Sequence, residues 1–108
     1  MEKLDSEFIY LAEMYADNYY PNFLVDKIRK EIEETVAYID EGSKPYGYIQ
    51  ERFDKMTCAI NGLIDEFIEN DSDLETVASE SIGETVDQIL KYYSIDMNAD
   101  KALREREW

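Results

Sequence analysis

Histidine is absent from this chain of 108 residues, and that absence removes more chemistry than any other. The commonest general acid/base near neutral pH and the commonest transition-metal ligand are both missing. Histidine-dependent catalytic triads, zinc sites of mixed Cys and His, and di-iron sites built on Glu-x-x-His are excluded with it. Cysteine is almost as scarce. Cys58 stands alone, so no internal disulfide forms and nothing points to an oxidising compartment. No apolar run approaches a membrane span, and residues 1–8 alternate charged and apolar side chains, so a soluble, cytoplasmic protein is expected. Positive charge is the third shortage. Eleven Lys and Arg stand against 26 Asp and Glu, a formal net charge of −15, which argues against nucleic acid as a direct partner. A basic protein partner fits that balance, and no cofactor is indicated.

What is present is helical rhythm. Ile49, Phe53, Met56, Ile60, Leu63 and Phe67 recur at alternating steps of four and three, the spacing of one apolar face on a long helix over 46–69. Asn61 and Gly62 would read as a turn if taken alone. The phase continues across them, so the helix is expected to run through, bearing about 1 kcal/mol for the glycine. A first helix, capped by Asp5 and Ser6, carries Phe8, Ile9, Leu11, Ala12 and Tyr15 as its stripe and ends near Ala16. The turn over 17–23 follows, with Pro21 at the entry to the next helix and the rings of Tyr19, Tyr20 and Phe23 expected to fold back onto the bundle. That helix, over 22–41, has Val25, Ile28, Ile32, Val36 and Ile39 on its inner face. Outside, Lys27 with Glu31, Arg29 with Glu33 and Lys30 with Glu34 form i to i+4 pairs, and Gly42 closes the helix as a left-handed cap.

Beyond the loop over 70–73, Ser72 and Glu75 have capping-box spacing for a helix that turns Leu74, Val77, Ala78, Ile82, Val86, Ile89, Leu90 and Tyr93 inward. Ser79 and Gly83, four apart, offer room for a neighbouring backbone. A short last helix over 99–107 ends at Trp108, whose ring is expected against the bundle. The short connections imply antiparallel neighbours, hence one all-α domain over 1–108: an up-and-down bundle of four main helices plus a short C-terminal one. This topology gathers 17–23 and 70–73 at one end, and 44–48 with Tyr92 and Tyr93 at the other.

Three constellations bear on function. Between Met56 and Leu90 there is no basic residue, while Asp65, Glu66, Glu69, Asp71, Asp73, Glu75, Glu80, Glu84 and Asp87 supply negative charge. Such a run is either a solvated face or a surface for a cationic partner. Asp71, Asp73 and Glu75 alternate in the manner of oxygen ligands, but the EF-hand pattern fails, because Thr76 and Ile82 occupy the places of its glycine and final glutamate. Nine tyrosines serve either the margin of the core or a recognition surface. Cys58 lies nearly opposite the apolar stripe and lacks a histidine or local positive field to activate it.

The stretch Met14, Tyr15, Ala16, Asp17, Asn18, Tyr19, Tyr20, Pro21, Asn22, Phe23, Leu24, Val25, Asp26 and Lys27 resembles a family of small acidic bacterial proteins of unknown function. Glu69, Asn70, Asp71, Ser72, Leu74, Glu75, Thr76, Val77 and Ala78 extend the resemblance, as does the ending in Trp108. It implies an all-helical single domain and marks Asp17, Tyr19, Tyr20 and Asp26 as candidate site residues, without implying a reaction. Together with Glu69, Asp71, Asp73 and Glu75 from the acidic run, these are the candidate binding residues. The leading expectation is a non-enzymatic interaction module for a basic protein, analogous to immunity or inhibitor proteins that steer by charge and anchor by aromatic rings. The alternative is a metal-dependent binder or enzyme that uses carboxylates and tyrosines at the same end. As to assembly, a monomer or a homodimer is expected.

Overall fold

The computed structural model describes residues 10–108 and contains no strand among them. Six helical segments follow one another: α1 (Ala12–Ala16), α2 (Asn22–Asp40), α3 (Tyr46–Asn61), α4 (Ile64–Glu69), α5 (Thr76–Tyr92) and α6 (Ala99–Ala102). The molecule measures 40 × 28 × 18 Å, and its short dimension admits two layers of helices at the usual spacing. The most extensive contacts pair α2 with α3, and α5 with both α1 and α6.

Both prolines stand immediately before a helix. Pro21 and Pro45, at φ −59° and −56°, cap α2 and α3. Neither has an N–H to lose there, and each carbonyl accepts from the first helical turn. The inner face expected for α2 is buried throughout, with Leu24 added to Val25, Ile28, Ile32, Val36 and Ile39. Gly42 follows with φ 138°, a conformation that L side chains rarely adopt.

Several sequence expectations give way to local backbone. The cap at Asp5 and Ser6, with Phe8 and Ile9, lies outside the described residues. Among the described residues the first helix begins at Ala12, because Leu11 just before it is left-handed (φ 55°). Leu11 is fully buried, its N–H donating to the Thr85 hydroxyl at 3.3 Å, while Ala12 faces solvent. The helix expected over 46–69 is broken at Gly62 and Leu63. There the dihedrals stay right-handed, but Leu63 N–H reaches back only to the Ile60 carbonyl (2.9 Å), tightening one turn. Phe53, Met56, Ile60 and Phe67 nonetheless remain buried on one side.

The capping box of Ser72 and Glu75 does not form. Glu75 itself precedes α5 without a side-chain cap bond, and Ser72 closes α4 instead. Its N–H meets the Phe67 carbonyl at 2.9 Å while left-handed Asp71 meets that of Ile68 at 3.1 Å, the paired bonds of a Schellman motif. Ser94 repeats the arrangement at the end of α5, where Ile95 N–H reaches Leu90 at 2.8 Å. Val77 points outward, 40% exposed, and Ser81 and Thr85 are buried in its stead. No backbone nestles at Gly83, where an added Cβ would meet nothing within 4 Å. Lys27 forgoes Glu31 for Glu66 of α4, joining the two helices at 2.7 Å.

The last helix is a single turn, and the chain beyond it is strapped to α3 by polar groups. Gln50 donates to the Lys101 carbonyl (3.0 Å), and Asn61 both donates to Glu105 O (2.8 Å) and accepts from Glu107 N–H (3.0 Å). Arg104 grips both oxygens of Asp54, at 3.0 and 2.6 Å. This strap seats Ala102 and Leu103 in the core, with the Trp108 ring against it.

Two outcomes follow from these ends. Replacing Ser94 by glycine relieves a left-handed serine and is expected to raise stability by about 1 kcal/mol, read from chemical denaturation. For Asp54, burial alone would raise the pKa, but the Arg104 pair and the Gln50 amide outweigh it and hold the carboxyl below its usual range. A depressed folded pKa contributes stability above the unfolded value, near 3.9, which is lost as pH falls through the folded one. The Asp54→Asn variant should lose about 1 kcal/mol near neutral pH. It should also lose the acid-dependent part of the emission change of Trp108, the only tryptophan.

Candidate functional site

The end formed by the α1–α2 turn and the 70–75 loop is assembled by short-range bonds. Asp17 makes an Asx turn, its carboxylate accepting Tyr19 N–H at 2.9 Å while its carbonyl accepts Tyr20 N–H at 3.1 Å. Tyr20 is thereby driven inward, 3% exposed, with its hydroxyl at the backbone of Ala78 on α5. Tyr19 stands edge-on to it, ring centroids 5.1 Å apart, and remains 40% exposed beside Asp73 and Glu75. Asp73 accepts Leu74 N–H at 2.8 Å.

Five of the candidate residues therefore converge: Asp17, Tyr19, Tyr20, Asp73 and Glu75. The other three do not join them. Asp26 faces α1, where the Tyr15 hydroxyl donates to it and Arg29 approaches the same hydroxyl. Glu69 and Asp71 project into solvent. Among the described residues no three carboxylates or thiols come together as a metal-holding group.

Most of the 14–27 motif is consumed by the fold. Met14, Tyr20, Leu24 and Val25 are core, Asp17 and Pro21 shape the turn, Tyr15 and Asp26 join α1 to α2, and Lys27 joins α2 to α4. Tyr19 and Phe23 are the aromatic exceptions, and Phe23 is 51% exposed with no core to fill. Ile68, 54% exposed, and Val77 stand within two turns of the same end, on the two sides of the acidic loop. Of the acidic run, Glu66 and Asp87 have cationic partners in Lys27 and Lys91. Asp65, Glu69, Asp71, Asp73, Glu75, Glu80 and Glu84 form no ion pair among the described residues.

The tyrosines divide between the roles foreseen for them. Tyr20 and Tyr93 are buried, Tyr10, Tyr15 and Tyr38 are half-buried, and Tyr19, Tyr46, Tyr48 and Tyr92 are exposed. Cys58 is an exposed free thiol. Sequence reasoning missed Phe23, Ile68 and the strap residues Gln50, Asp54, Asn61 and Arg104. The i to i+4 spacing of Gln50 and Asp54 was the available signal for the strap.

The fold and this end define an acidic, all-helical domain whose exposed aromatic and aliphatic side chains sit among uncompensated carboxylates. The chain belongs to a family of unknown function (DUF5713), whose model matches residues 4–108. No curated protein and no solved structure matches it. Among the described residues, no helix is long and apolar enough to cross a membrane.

The hydroxyls of Tyr10, Tyr15, Tyr19 and Tyr20 are all held above the ordinary phenol range, by desolvation first and then by neighbouring carboxylates. For a group raised in the folded state, the stability is present below the unfolded pKa and is lost as pH rises through the folded one. Alkaline titration should therefore show tyrosinate absorbance appearing late, above about pH 10, and thermal stability falling over the same interval. Tyr15→Phe should remove part of that alkaline loss.

Proposed function

We propose that the chain is a non-enzymatic interaction module that docks a basic protein surface on the end built by the α1–α2 turn and the 70–75 loop. The observation that carries this reading is the exposure of Phe23 and Tyr19 within a motif whose other side chains are largely occupied by the fold. Large apolar groups left at the surface cost solvation and mark contact sites when grouped. The carboxylates around them supply a field of one sign that attracts a cationic partner and orients its approach. Aromatic anchors then supply short-range affinity once water is excluded. Lys27 is turned toward Glu66, so it neutralises little of the negative charge on the 70–75 loop.

The test is affinity capture at two ionic strengths, about 0.05 and about 0.5 M, followed by titration of the purified captured protein. A basic protein should be retained at the lower strength and released at the higher. Phe23→Ala should weaken its binding about tenfold or more, while leaving the melting temperature unchanged, since that ring is not in the core. Retention indifferent to both salt and Phe23→Ala would overturn the reading.

A further inference from the structure

Ser72 and Glu75 have the spacing of a capping box, yet the box stands open. Ser72 is 4% exposed, and its hydroxyl has no hydrogen-bond partner among the described residues. Further along, α5 begins at Thr76 without a side-chain cap, and the N–H groups of Thr76 and Val77 meet no acceptor among the described residues. A buried hydroxyl without a partner and an uncapped helix start each cost stability. The sequence holds the groups that would satisfy both.

Ser72 can serve two helices at once. Its N–H closes α4 on the Phe67 carbonyl, and that bond is compatible with its hydroxyl capping the helix that follows. If α5 began at Asp73, Leu74 would precede Ala78, Ser81 and Thr85 at steps of four, three and four, and all four residues are already buried. Winding therefore keeps Leu74 inside. Asp73 and Glu75 would enter the first turn, where the helix dipole favours carboxylates. The N–H groups of Thr76 and Val77 would reach the carbonyls of Ser72 and Asp73.

The α1–α2 turn holds this segment open. The Tyr19 hydroxyl faces the Glu75 carboxylate, the arm that the box requires, and the Tyr20 hydroxyl sits at the backbone of Ala78. Tyr20 is fixed in the core, whereas Tyr19 is 40% exposed and within reach of a partner. We propose that the segment from Ser72 to Glu75 is a switch, which winds onto α5 as a further turn closed by its own capping box when a partner seated on Tyr19 draws that ring away from Glu75. The trigger rests on the docking reading; the catch between Tyr19 and Glu75 does not. Winding carries Asp73 and Glu75 from an extended loop onto a helix end, so binding changes where the loop presents its charge.

The catch is tested on the free chain, isotopically labelled for NMR. Tyr19→Phe keeps the exposed ring and removes the hydroxyl that engages Glu75. The Cα shifts of Asp73, Leu74 and Glu75 should move to helical values, and the Thr76 and Val77 amides should exchange about fivefold more slowly, the equivalent of one N-cap. Adding Ser72→Ala to Tyr19→Phe should return both readouts to those of the unaltered chain. Ser72→Ala alone should leave them unchanged, since its hydroxyl bonds nothing in the open form. Helical shifts at 73–75 in the unaltered chain, no response to Tyr19→Phe, or a response that survives Ser72→Ala would overturn the proposal. No partner is present in this measurement, so its failure is separable from a failure of the salt-dependent capture.

Discussion

The closure of the α1–α2 turn is the constraint on which the rest of the structure depends. Five residues are far too few for α1 to persist alone, since isolated helices below about 12 residues are marginal. It exists because Asp17 folds the chain back, Tyr20 enters the core, and Leu11 and Met14 are fully buried against the longer helices. Because α1 packs on α5 and hydrogen-bonds to α2 through Tyr15 and Asp26, the turn determines how the second half of the chain meets the first. The exposed pair Tyr19 and Phe23 is a consequence of that geometry. Burying Tyr20 leaves its neighbour outside, and starting α2 at Asn22 turns Phe23 away from Leu24 and Val25.

Charge is distributed by the same economy. Six of the eleven cations form ion pairs among the described residues: Lys27 on Glu66, Arg29 on Glu33 and Tyr10, Lys44 on Glu41 and Tyr38, Lys91 on Asp87, Arg104 on Asp54, Arg106 on Asp100. Each pair is worth little by itself at the surface. Their collective effect is on the field: among the described residues only Lys27 and Lys91 pair on α4 and α5, with Glu66 and Asp87, and the other carboxylates from Asp65 to Glu84 keep that surface negative over several turns. The strap illustrates the local side of this: Arg104 grips Asp54 of α3, while Arg106, the other cation of that tail, turns back to Asp100.

Much of this was legible. The 3.6-residue period of α2 and of the α3–α4 stripe is a consequence of burial, and burial is what hydrophobic spacing records. What stayed hidden were places where the backbone departs from helix without a glycine to announce it. Leu11, Asp71 and Ser94 are all left-handed; aspartate is one of the few types that visit that region readily, but nothing in the side chains of Leu11 and Ser94 advertises it. Gly62 misled in the opposite direction, since continuity of phase is preserved across one tightened turn and so cannot reveal it. Val77 was placed inward because a valine at helical spacing reads as core. The neighbours α5 received, α1 and α6, instead bury the smaller Ser81 and Thr85. The strap was invisible for a different reason: Gln50, Asp54 and Asn61 read as a solvated face, and their partners lie more than 40 residues away. Of the candidate site, topology brought 17–20 to 73–75, whereas Asp26 carried a motif signal that turns out to be architectural.

On the proposed reading, the carboxylates around the 70–75 loop lie on an exposed end, so their attraction acts through the field and fades with screening over about 8 Å at physiological salt. Selectivity would then come from Tyr19 and Phe23, whose contacts are short-ranged and shape-dependent. Net charge alone would make such a surface indiscriminate. Apolar groups set among the carboxylates by a tight turn would restrict which basic surfaces it could hold, and that turn is the same one that seats Tyr20 in the core.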